Sequence, residues 1–579
     1  MNTAVRSWLP GFEVLARYDR RWLRDDVLAG LVLTALLIPA GIGYAQVSGL
    51  PPVTGLYATI VPLLVYAVVG PSRILVLGPD SSLAPIVGAS ILPLAAGDPD
   101  RAVALAGVLA ILMGAFLVIG SLLRLGFVTD LLSKPIRIGY LNGIALVVIV
   151  GQLAALLGFS VEADGLVGDA RAVVAGVLDG LGDPTVVAIG VMALAVMLVL
   201  RVVAPRVPGV LVAVAGSMIG VAVFGLRNEV PVVGALPRGL PTPALGGLDW
   251  GDVISLIGPA AGIALIAFAD TGVLSRTFAS RRGESVSGTD EMRGLGLSNV
   301  ASGIFGGFPV AASMSRTPVA ERAGARTQLC GVVGALLIVG FIVLTPNLTS
   351  YLPRSVLAAV VIVAAASLID VRGMIWLLRV DRVDGLLSVA ALLGVALIGV
   401  LQGIVVAIAL SFVALVDRSW RPYRAELGQI TGLRGYHDLS RHPEGHRVPG
   451  IIIVRFDAPL FFANAGMFGD WVRSVVDADA DADADADAIP IRHVVLAAEP
   501  ITDIDSTAID EIVALDDHLA AEGIELVFAE MKGPVHDHIT RYGLVSRFGP
   551  DRFAPTVGAA VDAIIGRERD DIGSPSDRT

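Results

Sequence analysis

The sequences GPDSS at residues 78–82 and FPVAASMSR at residues 308–316 each interrupt an otherwise apolar part of the chain. Both predict a short extended stretch, at 74–77 and at 307–310, beside a proline and before a helix start rich in Ser and Asp. Non-helical backbone at membrane depth is tolerated only where it lines a cavity inside a protein. If the surrounding chain lies in a membrane, the two stretches therefore indicate a cavity inside the protein.

The bulk composition indicates that lipid is the solvent for most of the chain. Of the 579 residues, 55% are hydrophobic and 16% are charged, and the mean hydropathy is +0.76, which is outside the range of ordinary soluble domains. Nearly every long apolar run falls before about residue 418, so we expect two domains. The single cysteine, Cys330, excludes an intrachain disulfide and a cysteine-based metal cluster. The sequence has no cluster of Lys and Arg of the kind that binds nucleic acid.

About fourteen apolar segments precede residue 418, and a membrane span needs about 20 residues. They lie near 27–47, 53–69, 80–94, 102–120, 135–158, 184–203, 208–225, 252–278, 289–306, 312–324, 326–345, 354–370, 383–400 and 401–418. The two interrupted stretches open the third and the tenth segments, which are corresponding positions in two halves of seven. Paired broken helices indicate the binding site of a secondary transporter, whereas two simple proline kinks are the alternative.

Basic residues alternate along the predicted loops, as the positive-inside rule requires of a multi-span protein. With the arginine-rich N-terminus inside, the predicted inside loops hold most basic residues, and the predicted outside loop at 159–183 is acidic. An even number of spans places both termini in the cytoplasm. We expect a multi-pass protein of the bacterial inner membrane rather than a cleaved signal peptide, because no small-residue cleavage site follows a short hydrophobic core.

The C-terminal part alternates predicted strands with predicted helices, which indicates an α/β layer. The strands are 451–456, 493–497 and 525–529, and the helices are 505–520 and 535–542. An Asp-Ala repeat at 477–488 is predicted to be a disordered surface loop, and it lacks the glycine turn of a calcium loop. The chain divides into 1–24 as a cytoplasmic N-terminal segment, 25–418 as a transmembrane transport domain, 419–448 as a linker, 449–566 as the C-terminal domain and 567–579 as a disordered tail.

The two interrupted stretches have the chemistry of an anion site. Helix N-termini offer unpaired N–H groups and the positive end of the helix dipole. The hydroxyls of Ser81, Ser82, Ser313 and Ser315 could donate hydrogen bonds to the anion, or they could only cap the two helices. Arg316 is a cation at membrane depth, which either strengthens the field of the site, pairs with an acid or extends to the cytoplasmic edge.

Two carboxylates are candidates for binding the coupling ion. Asp270 lies among apolar residues inside the eighth segment, so it could carry a proton, bind a coupling cation or pair with Arg316. Asp80 stands beside the expected anion, which it would repel unless it is protonated, paired or turned away. Asp80 could also simply cap the third helix.

Several motifs resemble the sulfate permease (SulP) family of anion transporters. They include DDVLAGL at 25–31 and GLPPVTGLY at 49–57, and the most specific stretch runs from 291 to 328 and ends in RAGARTQ. The resemblance implies a uracil-permease-like fold of seven plus seven inverted-repeat segments. It also implies an elevator-like movement of a core domain against a gate domain, and a homodimer. The C-terminal domain is similar to the STAS domains of this family.

The family's anion site lies between the third and the tenth helix starts. Carried onto this sequence, it implies a site formed by Ser81, Ser82, Ser313, Met314, Ser315 and Arg316, lined by Gln46 of the first segment. Asp270 matches the family's acid in the eighth segment. Leu274 stands where a sodium-coupled relative has a hydroxyl ligand, which favours proton over sodium coupling. Ser506 and Thr507 match a STAS loop that is phosphorylated in anti-sigma-factor antagonists, so they are candidates for regulation or for a helix cap.

These observations together predict secondary active transport of a small anion across the inner membrane. Proton-coupled sulfate transport is the first choice, and bicarbonate or a dicarboxylate is the alternative, because dipoles and hydroxyls recognise charge and oxygen geometry in all of them. A membrane-anchored STAS sensor or scaffold is the alternative from another class. We expect no enzyme, cofactor or bound metal, since the sequence has no Cys/His cluster, nucleophile elbow or phosphate loop.

Overall fold

The computed structural model describes residues 8–126, 133–161, 165–204, 207–237, 239–240, 242–243, 246, 249–313, 315–482 and 489–573. The chain divides into two compact units, Met1–Ser411 and Phe412–Thr579. Each unit buries its own apolar side chains. Met314 of the predicted site, residues 483–488 of the Asp-Ala repeat and residues 574–579 of the predicted tail lie outside the described residues.

The first unit is helical, and its first half contains one very short strand. Its elements are α1 (Pro10–Ala16), α2 (Leu23–Val47), α3 (Pro52–Val69), β1 (Leu77–Gly78), α4 (Ala84–Ala95), α5 (Pro99–Leu122), α6 (Lys134–Leu157), α7 (Gly165–Leu178), α8 (Pro184–Val203) and α9 (Gly209–Val223). Aspartate followed by proline begins two of these helices. The carboxylates of Asp98 and Asp183 each accept N–H groups of the next turn, and proline suits the first helical position because its missing N–H is not needed there.

The second half of the first unit repeats the pattern of long helices around one short strand. Its elements are α10 (Trp250–Arg281), α11 (Gly288–Ile304), β2 (Ala311–Ala312), α12 (Arg316–Arg322), α13 (Leu329–Leu344), α14 (Arg354–Ala366), α15 (Val371–Val380), α16 (Arg382–Leu393), a π-helical turn (Gly394–Ile398) and α17 (Val400–Trp420). Each of the fourteen predicted segments coincides with a helix in the described part of the chain.

Seven helices in the described residues are long and apolar enough to cross a membrane. They are Arg20–Val47, Pro52–Val69, Pro99–Leu122, Lys134–Leu157, Pro184–Val203, Trp250–Arg281 and Arg354–Val380, and the shorter apolar helices are α4, α9 and α13. The sequence did not predict α1, α7 or α15. In particular, α7 lies inside the predicted loop at 159–183, where its 14 residues are too few to span a bilayer and too weakly apolar to stand out as a helix.

The two interrupted stretches pair with each other. Strands β1 and β2 are antiparallel, with Leu77 opposite Ala312 and Gly78 opposite Ala311. The strands lie slightly later in the chain than the extended stretches predicted at 74–77 and 307–310. Neighbouring groups hold the rest of this backbone, since the Asn299 side chain hydrogen-bonds both the N–H and the C=O of Val310. The paired ends bring the starts of α4 and α12 together.

Close backbone contacts between helices hold the surrounding bundle. A side chain on Gly55 of α3 would overlap the carbonyl of Gly41 in α2, and one on Gly114 of α5 would meet the carbonyl oxygen of Gly296 in α11 at 2.5 Å. Helices in lipid gain little from the hydrophobic effect, so they associate through small residues that allow such contact.

The second unit is an α/β domain with a six-stranded sheet. Its strands are β3 (Arg424–Gln429), β4 (Tyr436–Asp438), β5 (Ile451–Phe456), β6 (His493–Ala497), β7 (Glu525–Ala529) and β8 (Phe553–Ala554), and its helices are α18 (Ala465–Ala482), α19 (Ser506–Ala521), α20 (Gly533–Arg541), α21 (Val545–Phe548) and α22 (Val557–Gly573). The strand order is β4-β3-β5-β6-β7-β8. The pairs from β5 to β8 are parallel, and β3 pairs antiparallel with both of its neighbours.

Strands β3 and β4 come from residues 419–448, which the composition assigned to a linker. Tyr423, just before β3, hydrogen-bonds the carboxylate of Asp438 at the end of β4. Burial opposes ionisation of Asp438, but hydrogen bonds from Tyr423 and Ser440 outweigh it and lower the pKa of this carboxylate.

The first part of the Asp-Ala repeat is helical rather than disordered. Helix α18 continues through Asp477 to Ala482. Alanine favours helix, and a helix that is already formed extends at little cost, so the repeat prolongs α18 in spite of its like charges.

Asp26, near the start of α2, is fully buried and ties that helix to the loop before α13. Its Oδ1 accepts the N–H groups of Arg326 and Thr327 at 2.7 and 3.0 Å. Its Oδ2 accepts the hydroxyls of Thr327 and Tyr18 at 2.8 and 3.0 Å. Four donors compensate the burial of this charge.

We expect Asp26→Asn to lower the stability of the first unit by about 2 kcal/mol or more, because the amide turns a donor toward groups that are themselves donors. Thermal unfolding of the detergent-purified protein, followed by intrinsic fluorescence, measures the change. Asp25→Asn is the matched control, since Asp25 is 42% exposed and only pairs with Arg326 at 3.4 Å. Equal effects of the two substitutions would contradict this role of Asp26.

Candidate functional site

Arg316 is a buried cation without a hydrogen-bonded partner. Its side chain is almost completely buried, and its Nε, Nη1 and Nη2 have no hydrogen-bond partner among the residues that the structure describes. The nearest carboxylate is that of Asp80, whose Oδ2 lies 3.9 Å from Nη2. An isolated charge in the interior is costly, so Arg316 gains more than most groups would from a negatively charged ligand.

The paired strands fix the position of Arg316. It is the first residue of α12, and the Oγ1 of the following Thr317 accepts the N–H of Val76 at 3.2 Å. A side chain on Gly78 would come within 2.9 Å of Arg316 Nη1. Glycine in the sequence GPDSS therefore leaves room for the guanidinium that lies against it.

Side chains bond the backbone around the two helix starts, but the N-cap residues of α4 and α12, Leu83 and Ser315, make no side-chain capping bond. The Oδ1 of Asp80 accepts the N–H of Ser82 at 3.0 Å and its hydroxyl at 2.8 Å. The Oγ of Ser313 accepts the N–H groups of Ser315 and Arg316, each at 3.4 Å. Helix α12 has only 7 residues, so its dipole is small. Arg316 therefore supplies most of the positive charge at this point.

Asp270 pairs with a tyrosine and not with Arg316, which was the partner that the sequence left open. It is buried in α10, and the hydroxyl of Tyr140 in α6 donates to its Oδ1 at 3.0 Å and its Oδ2 at 3.2 Å. The proposed ion pair with Arg316 is not found, because Arg316 has Asp80 as its nearest acid.

A cavity of about 580 Å³ opens beside Arg316 and is rich in basic side chains. Its cations are Lys134, Arg137, Arg201, Arg316 and Arg322, and its one acid is Asp370. We call it the basic cavity. Such a concentration of one sign of charge attracts small anions and raises their local concentration.

The predicted site residues divide into two groups around the basic cavity. Ser315 and Arg316 line it, together with Tyr44 of α2. Ser81, Ser82 and Ser313 are buried and do not line the cavity. Gln46 is half-buried in α2, two residues beyond the lining residue Tyr44. Met314 lies outside the described residues.

The sulfate permease family matches residues 23–391, and the STAS domain matches residues 442–560. A probable sulfate transporter of Mycobacterium tuberculosis is 39% identical over 558 residues, which cover 96% of this chain and 98% of that protein. The chloroplastic sulfate transporter 4.1 of Arabidopsis thaliana is 29% identical and is covered over 83% of its length, with 97% of this chain.

The chain belongs to the sulfate permease family. This family consists of transporters and not of enzymes.

Solved structures show the same fold. The murine Solute Carrier 26 family member A9 anion transporter, in an inward-facing state, has a TM-score of 0.88 at 20% identity, over 98% of this chain and 95% of that one. The transmembrane domain of a cyanobacterial bicarbonate transporter, BicA, has a TM-score of 0.59 at 23% identity, over 68% of this chain and 98% of that one. The expected fold, a polytopic helical membrane domain of the uracil-permease type with a STAS domain, is confirmed.

A second cavity, of about 970 Å³, lies at the opposite ends of the same helices, and we call it the opposite cavity. On α2, Tyr44 lines the basic cavity and Val47 lines the opposite cavity. On α14, Val360 lines the basic cavity and Ser355 the opposite one. A packed layer separates them, in which a side chain on Gly43 would meet Val361 at 3.0 Å.

The candidate regulatory residues of the STAS domain are exposed at the start of α19. Ser506 and Thr507 are both exposed. Neither of them caps the helix, because Oδ1 of Asp505 accepts the N–H of Ala508 at 2.8 Å. The Oδ2 of Asp505 accepts the N–H of Phe462 at 2.8 Å. Both hydroxyls are therefore accessible.

The sequence reasoning missed Tyr140 and used Arg137 only as a marker of membrane orientation. Both lie on α6, three residues apart, and therefore share one face of that helix. A tyrosine in an apolar helix, one turn after an arginine, was the available signal. The contact with Asp270 depends on a helix that is 130 residues away in sequence, which no local pattern shows.

We expect Arg316→Met to leave the melting temperature of the protein unchanged or to raise it, because the substitution removes a buried charge without a hydrogen-bonded partner. Arg101→Met is the control, since the Arg101 guanidinium donates to both oxygens of the buried Asp252 at 2.8 and 2.9 Å. Breaking that pair should cost about 3 kcal/mol. Thermal unfolding in detergent compares the two. A loss of stability in Arg316→Met as large as in the control would show that Arg316 is structural.

Proposed function

We propose that the protein is a secondary transporter of a small oxyanion in the bacterial inner membrane, with sulfate as its first substrate. The observation that carries this proposal is the buried guanidinium of Arg316, which lines the basic cavity and has no hydrogen-bond partner in the described part of the chain. A guanidinium binds an oxyanion through two parallel N–H groups. The hydroxyl of Ser315, also on the cavity wall, can donate a further hydrogen bond.

Repulsion between the anion and two nearby carboxylates supports proton coupling. Asp80 lies 3.9 Å from Arg316, and Asp270 is buried in the neighbouring helix α10. A bound anion would be repelled by both carboxylates in a region of low dielectric. A proton on each carboxylate would remove that repulsion. We therefore assign Asp270 and Asp80 to proton coupling.

The neighbours of Asp270 favour a proton over sodium. The hydroxyl of Tyr140 is the hydrogen-bonding group that the structure places on Asp270. The hydroxyl of Thr271, the next residue, accepts the N–H of Ala312 at 3.2 Å. Leu274 adds no oxygen one turn further along α10. A metal ion needs several oxygen ligands, whereas a proton needs one.

The two cavities support an alternating-access mechanism. They approach each other within one turn of α2 and are separated by a packed layer, so a modest displacement could close one and open the other. We propose that an element carrying β1, β2, α4 and α12 moves as a core against a gate that contains α6 and α14. This is the elevator-like movement, in a membrane domain of two inverted repeats, that the sequence led us to expect.

We propose sulfate rather than bicarbonate or a dicarboxylate as the substrate because of the names that the similar proteins carry. The bacterial and plant relatives with high coverage are named sulfate transporters, whereas BicA, named as a bicarbonate transporter, shares the fold at low identity. A guanidinium and a hydroxyl bind all three anions. The choice among them therefore needs a measurement.

Further proposals concern the whole assembly. We propose a homodimer in lipid, with both termini in the cytoplasm, so that the basic cavity opens to the cytoplasm. The proposed transport domain is 25–418, and the proposed STAS domain, 449–566, is completed by β3 and β4 of residues 419–448, which belong to its sheet. Ser506 and Thr507 are the proposed regulatory positions, because they are exposed and leave capping to Asp505.

We expect purified wild-type protein in liposomes to accumulate labelled sulfate when an inward proton gradient is imposed. Asp270→Asn should abolish accumulation but retain sulfate exchange, because its side chain is permanently neutral. Arg316→Ala should reduce both by about a hundredfold, as the loss of a buried charge contact does. Uptake is measured with and without the gradient.

Glu284→Gln is the control for Asp270→Asn, since Glu284 pairs with Arg73 at 3.1 Å away from the basic cavity. Accumulation by Asp270→Asn at the wild-type level would exclude this residue from coupling. Movement of bicarbonate or a dicarboxylate without any movement of sulfate would show that the substrate assignment is wrong.

A further inference from the structure

The opposite cavity contains an arrangement of polar groups that the proposed function does not use. Ser355 lies at the second position of the 13-residue helix α14, where it lines the cavity and is 1% exposed. Its Oγ is buried and has no hydrogen-bond partner among the described residues. Serine near a helix start usually bonds a neighbouring backbone group, so its isolation here needs an explanation.

In the first turn of α14, the backbone N–H groups on either side of Ser355 are hydrogen-bonded. The N–H of Arg354 donates to the carbonyl of Pro231 at 2.9 Å, and those of Val356 and Leu357 donate to the carbonyl of Pro353 at 3.2 and 3.4 Å. A partial positive charge remains at a helix start even when some of its N–H groups are used. The hydroxyl of Ser355 adds a donor at the same point.

A cation and a second donor share the cavity wall. Arg354 is exposed, and its Nε donates to the carbonyl of Val232 at 3.3 Å, which orients the guanidinium. Gln152 of α6 contributes an amide across the cavity. The acid on this wall is Asp169, which interacts with other groups of the protein. The donor set therefore suits an anion rather than a cation.

We propose that Arg354 and Ser355 form a second anion site in the opposite cavity, which holds the transported oxyanion before or after it crosses the packed layer. The inference rests on the proposed function. Tyr44 and Val47 line the two cavities three residues apart, about 4.5 Å along the helix, so the second site lies at the other end of a short path from Arg316.

The first test is one-sided transport kinetics in liposomes of known orientation. Ser355→Ala and Arg354→Gln should each raise KM for labelled sulfate about tenfold at the face of the opposite cavity, as loss of one charge-assisted hydrogen bond does. KM at the other face should stay within twofold of the wild type. Ser388→Ala is the matched control, because the Ser388 Oγ is also buried, has no hydrogen-bond partner among the described residues and is not on the cavity wall.

The second test is calorimetric titration of the detergent-purified protein with sulfate. In an Arg316→Ala background, weak binding should persist and should disappear when Ser355→Ala is added. The inference is overturned if wild-type protein transports sulfate while Ser355→Ala and Arg354→Gln behave like Ser388→Ala at both faces. It is also overturned if the Arg316→Ala protein binds no sulfate. If the wild type neither binds nor moves any anion, the proposed function fails and the inference fails with it.

Discussion

A guanidinium that is buried in the membrane domain and has no hydrogen-bonded partner among the described residues is the constraint on which the rest of this structure depends. Arg316 is held 3.9 Å from Asp80 and is shielded from water, and a charge in that position costs several kcal/mol unless a ligand compensates it. The surrounding elements hold the guanidinium in this position. The β1–β2 pair fixes the start of α12, Gly78 leaves room for the guanidinium, and the basic cavity borders it.

In the proposed mechanism, the same geometry links binding to coupling and to movement. Asp80 bonds the N–H of Ser82 and is also the acid nearest to Arg316, so a proton on Asp80 would affect both contacts. Asp270 of α10 accepts a hydrogen bond from Tyr140 of α6, a helix of the proposed gate. Protonation of Asp270 would remove its charge from that hydrogen bond. A change in proton occupancy can therefore alter the contact between the two moving parts, which is what a coupled transporter requires.

The sequence predicted the fold well because the signals were local. The apolar segments, the alternating charges and the two proline breaks each lie within a few residues, and a helix was found at every predicted segment. The local bonds from the side chains of Asp80 and Ser313 to nearby backbone N–H groups were also open to prediction from residue type. The partners of Asp270 and Arg316 were not, since they lie on helices distant in sequence. Helix α7 and the helical first part of the Asp-Ala repeat were missed because their composition resembles that of a loop.

The most direct test of the account is to locate the anion itself. Crystals of the protein grown with selenate in place of sulfate would show selenium by anomalous scattering. The account predicts the strongest peak within hydrogen-bonding reach of Arg316 and Ser315 on the wall of the basic cavity, and its loss in Arg316→Ala. Selenium peaks found only elsewhere, with Arg316 paired directly to Asp80, would contradict it.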